Sequence, residues 1–290
     1  NHSLFKSLLF FSAGSVYTAT NTRDIEKMGG LMKRMTYTSV HFLIGSLAIC
    51  GLPPFNGFIS EYLIYLGMFR DLPSAGMHQS ILILGSIVGL SLIGGLAVFC
   101  FTKVFGIAFL GEPRSQHSIS ACEVERGMII PQFFSVAFII LIGVASPWFV
   151  RPVFEIVGTG FGIEGMTGIA EASLPGLSSI SLIAGVFILI VAALALYRRL
   201  HLRSVRVSTA PTGGCGYTAT GPRQQYTSTS FAYNYNHVAK PVIGTKKMMP
   251  EIKEDELFPE SRSFNSHSDD VFQKVIVEMP SGLMSNLLKK

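Results

Sequence analysis

The sequence is short of charge. Of its 290 residues, 14% are Asp, Glu, Lys or Arg and 49% are hydrophobic. A soluble domain carries about 25% charged residues. The deficit is uneven, because charges are nearly absent from long apolar windows and crowd into the loops and the last third. A bilayer imposes that partition, since a charge at its centre costs at least ~2.5–3.5 kcal/mol. Cysteine is also scarce. Cys50, Cys100, Cys122 and Cys215 are too far apart to make a zinc, haem or iron–sulfur spacing. Cys50 and Cys100 lie in apolar windows and read as packing residues. There is no nucleotide-binding glycine loop, metal-cluster motif or nucleophile constellation, so neither a catalytic site nor a cofactor is expected on this chain. The net charge of +5 is not arranged as a basic stripe interleaved with aromatics, which excludes nucleic acid as the expected partner. The basic residues instead flank apolar segments, as membrane topology requires. The first residue is Asn1, no signal-peptide pattern follows it, and the sequence is expected to start inside a longer protein.

What is present is a series of membrane-span candidates. A spanning helix needs roughly 20 apolar residues. The candidates are Leu4–Thr20, Tyr37–Leu52, Phe55–Phe69, Ser80–Leu110, Met128–Val150 and Ser178–Tyr197. The second and third come from one apolar stretch divided at Pro53 and Pro54, which lack the N–H that a helix needs. The expected fold is therefore all-α, a polytopic bundle of about six helices over residues 1–197. An extended cytoplasmic segment over 198–268 follows. Over 269–290, Val271, Phe272, Val275, Ile276, Met279, Leu283, Leu287 and Leu288 recur at helical steps, which predicts an amphipathic helix.

Orientation follows from Lys and Arg near the span ends. Arg198, Arg199, Arg203 and Arg206 place the end of the last helix in the cytoplasm. Arg114 and Arg126 place loop 111–127 inside, and loop 151–177, with Arg151 alone, falls outside. Loop 21–36 carries Arg23, Lys27, Lys33 and Arg34, which favours the inside. Six full crossings put it outside. Five crossings, with Phe55–Phe69 as a re-entrant half-helix, put it inside.

Ionisable residues within membrane spans are functional candidates by default. His2 and Lys6 are four apart and share one face of the first helix. Glu61 is the one full charge between Tyr37 and Phe69. A carboxylate there must pair, hold an ion or take up a proton. His41 is either a relay or a packing histidine. Lys103 is either a relay or a side chain that snorkels to the headgroups.

The run Asn-His-Ser-Leu-Phe-Lys-Ser-Leu-Leu-Phe-Phe-Ser-Ala-Gly-Ser-Val (1–16) resembles a signature helix of the antiporter-like proton-pumping subunits. That family serves respiratory complex I, Mrp-type cation/proton antiporters and membrane-bound hydrogenases. Thr-Arg-Asp-Ile-Glu-Lys-Met-Gly-Gly-Leu (22–31) resembles the loop that follows, and Gly-Leu-Pro-Pro-Phe-Asn-Gly-Phe-Ile-Ser-Glu-Tyr-Leu-Ile-Tyr (51–65) the helix with the family's terminal ionisable residue. Phe-Gly-Ile-Ala-Phe-Leu-Gly-Glu-Pro-Arg (105–114) and Cys-Gly-Tyr (215–217) with 222–232 resemble the hydrogenase-4 and formate hydrogenlyase branch.

This resemblance implies two inverted five-helix repeats in the complete subunit. Lys6 then matches the central lysine of the second repeat, His2 its companion and Glu61 the exit-side residue. It also implies six crossings, a tail forming the start of a lateral helix, and an absent first repeat and final anchoring helix. The expected function is a proton-translocating subunit in the plasma membrane. It would relay protons through Lys6, His2 and Glu61, with His41 and Lys103 as possible additions. Its partners would be the bilayer and other membrane subunits of a hydrogenase or complex I-like assembly. The alternatives are an Mrp-type or complex I subunit and, in another class, a scaffold anchoring a soluble redox enzyme.

Overall fold

The computed structural model describes residues 1–162, 166–205, 221–238, 245–248, 265–268 and 280–281. The chain divides into two compact units, Asn1–Gln225 and Tyr226–Lys290.

Every described regular element of the first unit is helical. In order these are α1 (His2–Thr20), α2 (Thr36–Ile49), α3 (Asn56–Asp71), α4 (Met77–Phe109), α5 (Gln116–Ile119), α6 (Arg126–Val144), α7 (Ser146–Phe161) and α8 (Met166–Ser204). Short 3-10 turns join several of them, and five of the six expected spans are each present as one helix. Three helices among the described residues are long and apolar enough to cross a membrane: α4, α6 and Gly168–Ser204 of α8. Their apolar side chains point outward, with Leu82 71% and Ile183 68% exposed. Exposed apolar surface on that scale marks an interaction surface, and lipid satisfies it. The chain is an integral membrane protein.

α1, α2 and α6 pack side by side. Gly45 of α2 lies against Leu8 and Leu9 of α1, and Phe5, Leu8, Ala48 and Ile139 form one buried cluster. A second cluster joins Leu9, Val16, Met35 and Phe42 to Phe109 of α4 and Met28 and Leu31 of the α1–α2 loop. A third, Ile59, Val150 and Leu177, joins α3, α7 and α8.

The chain between α2 and α3 breaks but does not reverse. α4 is one continuous helix of 33 residues, about 50 Å long at 1.5 Å per residue. Its Phe101 and Phe109 pack on Phe42 of α2, while its Ser91 hydrogen-bonds Tyr65 of α3 at 2.9 Å. One continuous partner therefore lines both helices, and α2 and α3 are two halves of a single interrupted span. Gly51, at φ +64°, and the two prolines supply the interruption. This corrects the six-crossing expectation.

The loops confirm the correction. Gly30 N–H donates to the Leu110 carbonyl at 2.9 Å. Arg114 Nη1 donates to the Met28 carbonyl at 2.8 Å, and Ser115 Oγ to that of Lys27 at 2.6 Å. Loops 21–35 and 110–121 thus lie on one side, which six alternating crossings forbid. Burial lowers the Arg114 guanidinium from its ordinary range, with the Glu26 charge opposing.

Two further expectations are corrected. Met128–Val150 is not one helix. It stops at Val144 and restarts as α7, because Pro147 cannot donate the bond that would continue α6. The expected outer loop 151–177 is largely helix. α8 begins at Met166 and carries Pro175 inside it, as membrane helices tolerate when neighbours satisfy the freed groups. It also runs past Tyr197 to Ser204.

In the second unit, α9 (Ser228–Val238) and a two-stranded antiparallel pair, β1 (Thr245–Met248) with β2 (Asn265–Ser268), occupy sequence expected to be extended. Thr245 pairs with Ser268 and Met248 with Asn265. The expected lateral helix, 269–290, lies outside the described residues except for 280–281.

Candidate polar site along the interrupted span

The interruption gathers small and polar residues. Gly57, in the first turn of α3, lies against the Ala48 carbonyl of α2, and Gly143 of α6 against the Pro54 carbonyl. Neither position has room for a Cβ, so three segments meet through their backbones. Asn1 Nδ2 donates to Ser60 Oγ at 2.6 Å and to the Asn56 carbonyl at 3.1 Å. α1 and α3 therefore begin beside one another.

Asn56 is fully buried, and its Oδ1 receives no hydrogen bond among the described residues. Glu61 stands further along α3, half-buried. Its carboxylate folds back over Gly51, as helical side chains do when they lean toward the N-terminus.

His2 and Lys6 do not join Glu61 directly. Among the described residues, neither Lys6 nor Glu61 forms an ion pair within 4.0 Å, unlike Lys27 with Asp24 and Arg151 with Glu155. The Lys6 ammonium lies 5.8 Å from the centre of the Phe10 ring, and Phe10 is 71% exposed. The His2 ring meets Phe5 edge-on at 5.1 Å. Lys103, on α4, is half-buried.

His41 has a different setting. It is 2% exposed, and its ring meets Phe133 edge-on at 4.4 Å. Its Nδ1 lies 3.2 Å from Gln132 Oε1. Gln132 also bonds Ser12 at 3.1 Å, Ser15 at 2.9 Å and the Met128 carbonyl at 2.9 Å. All four polar side chains are buried and come from three helices. One turn before His41, Glu123 caps α2 from a neighbouring loop. It accepts from Tyr37 N–H at 2.8 Å and Thr38 Oγ1 at 2.6 Å. A carboxylate at a helix N-terminus satisfies otherwise orphaned donors and complements the helix dipole.

Sequence reasoning missed Gln132 and Glu123. A lone amide in an otherwise apolar stretch was the available signal for Gln132. Glu123 gave none, because a cap supplied from another loop has no spacing to read. No group of three or more His, Cys, Asp or Glu that could hold a metal ion occurs among the described residues.

Comparison with known proteins identifies the family of the chain. Residues 1–103 fit the family model described as "NADH:quinone oxidoreductase/Mrp antiporter, TM". The chain belongs to the antiporter-like membrane subunits. It is 36% identical over 224 residues to hydrogenase-4 component B of Escherichia coli, covering 75% of this chain and 33% of that protein. It is 44% identical over 156 residues to formate hydrogenlyase subunit 3 of the same organism, covering 51% of this chain and 24% of that protein. With a Na(+)/H(+) antiporter subunit of Alkalihalophilus pseudofirmus the identity is 30% over 155 residues, covering 53% of this chain and 28% of that protein. The chain thus spans a third or less of these antiporter-like relatives. The family match includes His2, Lys6, His41, Glu61 and Lys103. Gln132 and Glu123 lie beyond it.

Proposed function

We propose that this chain is part of a proton-translocating membrane subunit in a hydrogenase-type assembly, and that other membrane subunits of that assembly are its partners. Lys6 and His2 hold or release a proton on α1, and Glu61 passes it outward from the interruption between α2 and α3. His41 and Lys103 are further candidates on the same route. The chain makes and breaks no covalent bond. Energy released in a partner reaches it as a change of nearby charge. The observation that carries this proposal is the place of Glu61, a carboxylate within a span at a helix break where Asn56 and Ser60 are also gathered. Irregular backbone at membrane depth is tolerated where it is buried in protein or lines a water-filled cavity, and ionisable groups there mark ion pathways. The similarity to a Na(+)/H(+) antiporter subunit supports a second reading, in which the same groups exchange a cation for a proton.

The test uses the complete assembled complex. Glu61→Gln keeps the shape of the side chain and removes its titration. Proton transport in vesicles is expected to fall at least ~10-fold, a barrier increase of about 1.4 kcal/mol, with assembly unchanged. Undiminished transport by this variant would make Glu61 a structural residue. A sodium requirement in the parent complex would favour the cation-exchange reading.

The side of the membrane is also proposed. Arg23, Lys27, Lys33 and Arg34 share a side with Arg114. α8 runs antiparallel to α6 at the α6–α7 junction, with Ser181 at Ser146, the first residue of α7, and Gly185 at Val144, the last of α6. Its Arg198, Arg199 and Arg203 consequently head for the side where α6 begins, at Arg126. The positive-inside rule makes that side cytoplasmic, and the tail after Arg198 with it. In a background whose only cysteine is the exposed native Cys122, an impermeant thiol reagent is expected to label only after the membrane is opened. A single cysteine at Met32 should behave the same way. A single cysteine at Ser74, at the far end of α3, should label in intact cells. Opposite accessibility of Met32 and Cys122 would restore six crossings.

A further inference from the structure

The amide of Gln132 can be oriented from its surroundings. One of its terminal atoms lies 2.9 Å from the Met128 carbonyl oxygen. That oxygen only accepts, so the atom facing it is the nitrogen. The same nitrogen lies 2.9 Å from Ser15 Oγ. The Ser15 hydroxyl already donates to the Phe11 carbonyl at 2.9 Å and is free to accept. Both amide hydrogens are then used.

The other terminal atom is therefore Oε1, and it accepts from Ser12 Oγ at 3.1 Å and from His41 Nδ1 at 3.2 Å. Flipping the amide would set an oxygen against the Met128 carbonyl and the NH2 group against the His41 Nδ1–H. His41 must then carry its hydrogen on Nδ1 whatever its charge, because an amide oxygen cannot donate. Nε2 makes no hydrogen bond among the described residues and is the nitrogen at which a proton can be added or removed.

We propose that His41 is a proton-binding group inside the bundle, and that Gln132 is the positioning residue that confines its protonation to Nε2. The proposal deepens the proton-translocating reading and rests on it. An imidazole with a fixed tautomer and one exchangeable nitrogen has a direction, since a proton arrives and leaves at the same atom. It stores charge between α1, α2 and α6 and does not conduct through Gln132, whose amide does not ionise. The charged groups on the described elements packed against α2 are Lys6 on α1, Glu61, Arg70 and Asp71 on α3, Lys103 on α4, Arg126 at the start of α6, Lys33 and Arg34 in the loop before α2, and Glu123 at its cap, and His2 on α1 and His78 on α4 titrate as well. A change of charge on any of these alters the proton occupancy of His41. Glu123 is placed to do so most directly, because it caps Thr38 one turn away.

A purely structural histidine would satisfy the same contacts, and one substitution separates the two roles. In His41→Asn the side-chain NH2 can take the place of Nδ1–H and still donate to Gln132, but nothing titrates. The structural role predicts parent-like transport in the assembled complex. The proton-binding role predicts a loss of at least ~10-fold with assembly intact. Gln132→Met keeps the volume and frees the tautomer. It should retain part of the transport and displace its pH profile, whereas a structural role would leave the profile in place.

A third measurement does not depend on transport. In the complex with isotopically labelled histidine, the His41 ring nitrogens report their protonation by magnetic resonance. Nδ1 is expected to stay protonated across the pH range while Nε2 titrates, and the Met variant is expected to show both tautomers. A ring protonated on Nε2 in the neutral form would overturn the proposal, as would parent-like transport by His41→Asn. If the parent complex moves no protons, the proton-translocating reading fails and takes the storage role with it, although the tautomer assignment would still be settled by resonance. If Glu61→Gln abolishes transport while His41→Asn does not, the reading stands and this inference falls.

Discussion

Gly57→Ala and Gly143→Ala are each expected to remove most of the protein from the membrane fraction, whereas Gly67→Ala leaves its amount unchanged or raised. Gly57 and Gly67 lie on the same helix, so propensity cannot separate them. Alanine is in fact favoured over glycine in a helix interior by about 0.8–1.0 kcal/mol. Surroundings make the difference. A Cβ at Gly57 would overlap the Ala48 carbonyl, and at Gly143 the Pro54 carbonyl, whereas nothing lies within 4 Å of a Cβ at Gly67. Both obstructing atoms are backbone, which cannot rotate aside as a side-chain end can. Overpacking a well-packed interior typically costs ~1–3 kcal/mol, occasionally more. The cost here should reach or exceed that upper end, because the junction of α2, α3 and α6 must open as a unit. Quantitative immunoblotting of membranes and the temperature of aggregation in detergent would measure it. Equal accumulation of Gly57→Ala and Gly67→Ala would mean that the three segments do not meet as described.

Lys6 gives the second large effect. In the assembled complex Lys6→Ala and Lys6→Arg are both expected to reduce proton transport by at least ~10-fold, with the complex still assembled. The arginine variant is the informative one. Arginine keeps a positive charge and a long stem, so a lysine that only anchors the helix at the headgroups would be replaced without loss. A relay lysine must also release its proton, and a guanidinium stays protonated in proteins. The Lys6 ammonium has an aromatic neighbour in Phe10 and, among the described residues, no carboxylate within ion-pair distance. Neither variant therefore breaks a salt bridge among the described residues, and intact assembly separates a loss of transport from a packing defect. Parent-like transport by Lys6→Arg would take Lys6 out of the proton route and leave Glu61 as its principal group.

The two effects probe different properties of one interrupted span. The glycines hold the interruption together, and the ionisable groups use it. An alanine at Gly57 should fail by instability, so its transport per assembled complex is the quantity to compare with Lys6→Arg. A normal rate per complex in the first and a depressed rate in the second would separate scaffold from relay.

Much of this protein is determined by the sequence alone. Long runs with no charge must be membrane helices, because backbone groups in lipid have to be satisfied within their own segment. That requirement placed α1 and α4 to within a few residues and found the apolar middle of α8 without its ends. The family's motifs were legible for a related reason. Lys6 and Glu61 are costly where they stand, and a costly residue in an apolar run is conspicuous.

The tertiary structure alone decided the direction of the chain after Pro54, the side on which loop 21–35 lies, and the company kept by His41. Each depends on contacts between residues far apart in sequence. Two prolines and a glycine announce a break but not whether the chain turns back, and the shared partner α4 settles that. The positive charge of loop 21–35 allowed either topology until its hydrogen bonds to the Leu110–Ser118 segment were seen. Gln132 reaches His41 across 91 positions of sequence, beyond any periodicity or spacing. A buried histidine takes its protonation from whichever donor or acceptor the fold sets beside it, and only packing brings that partner into place.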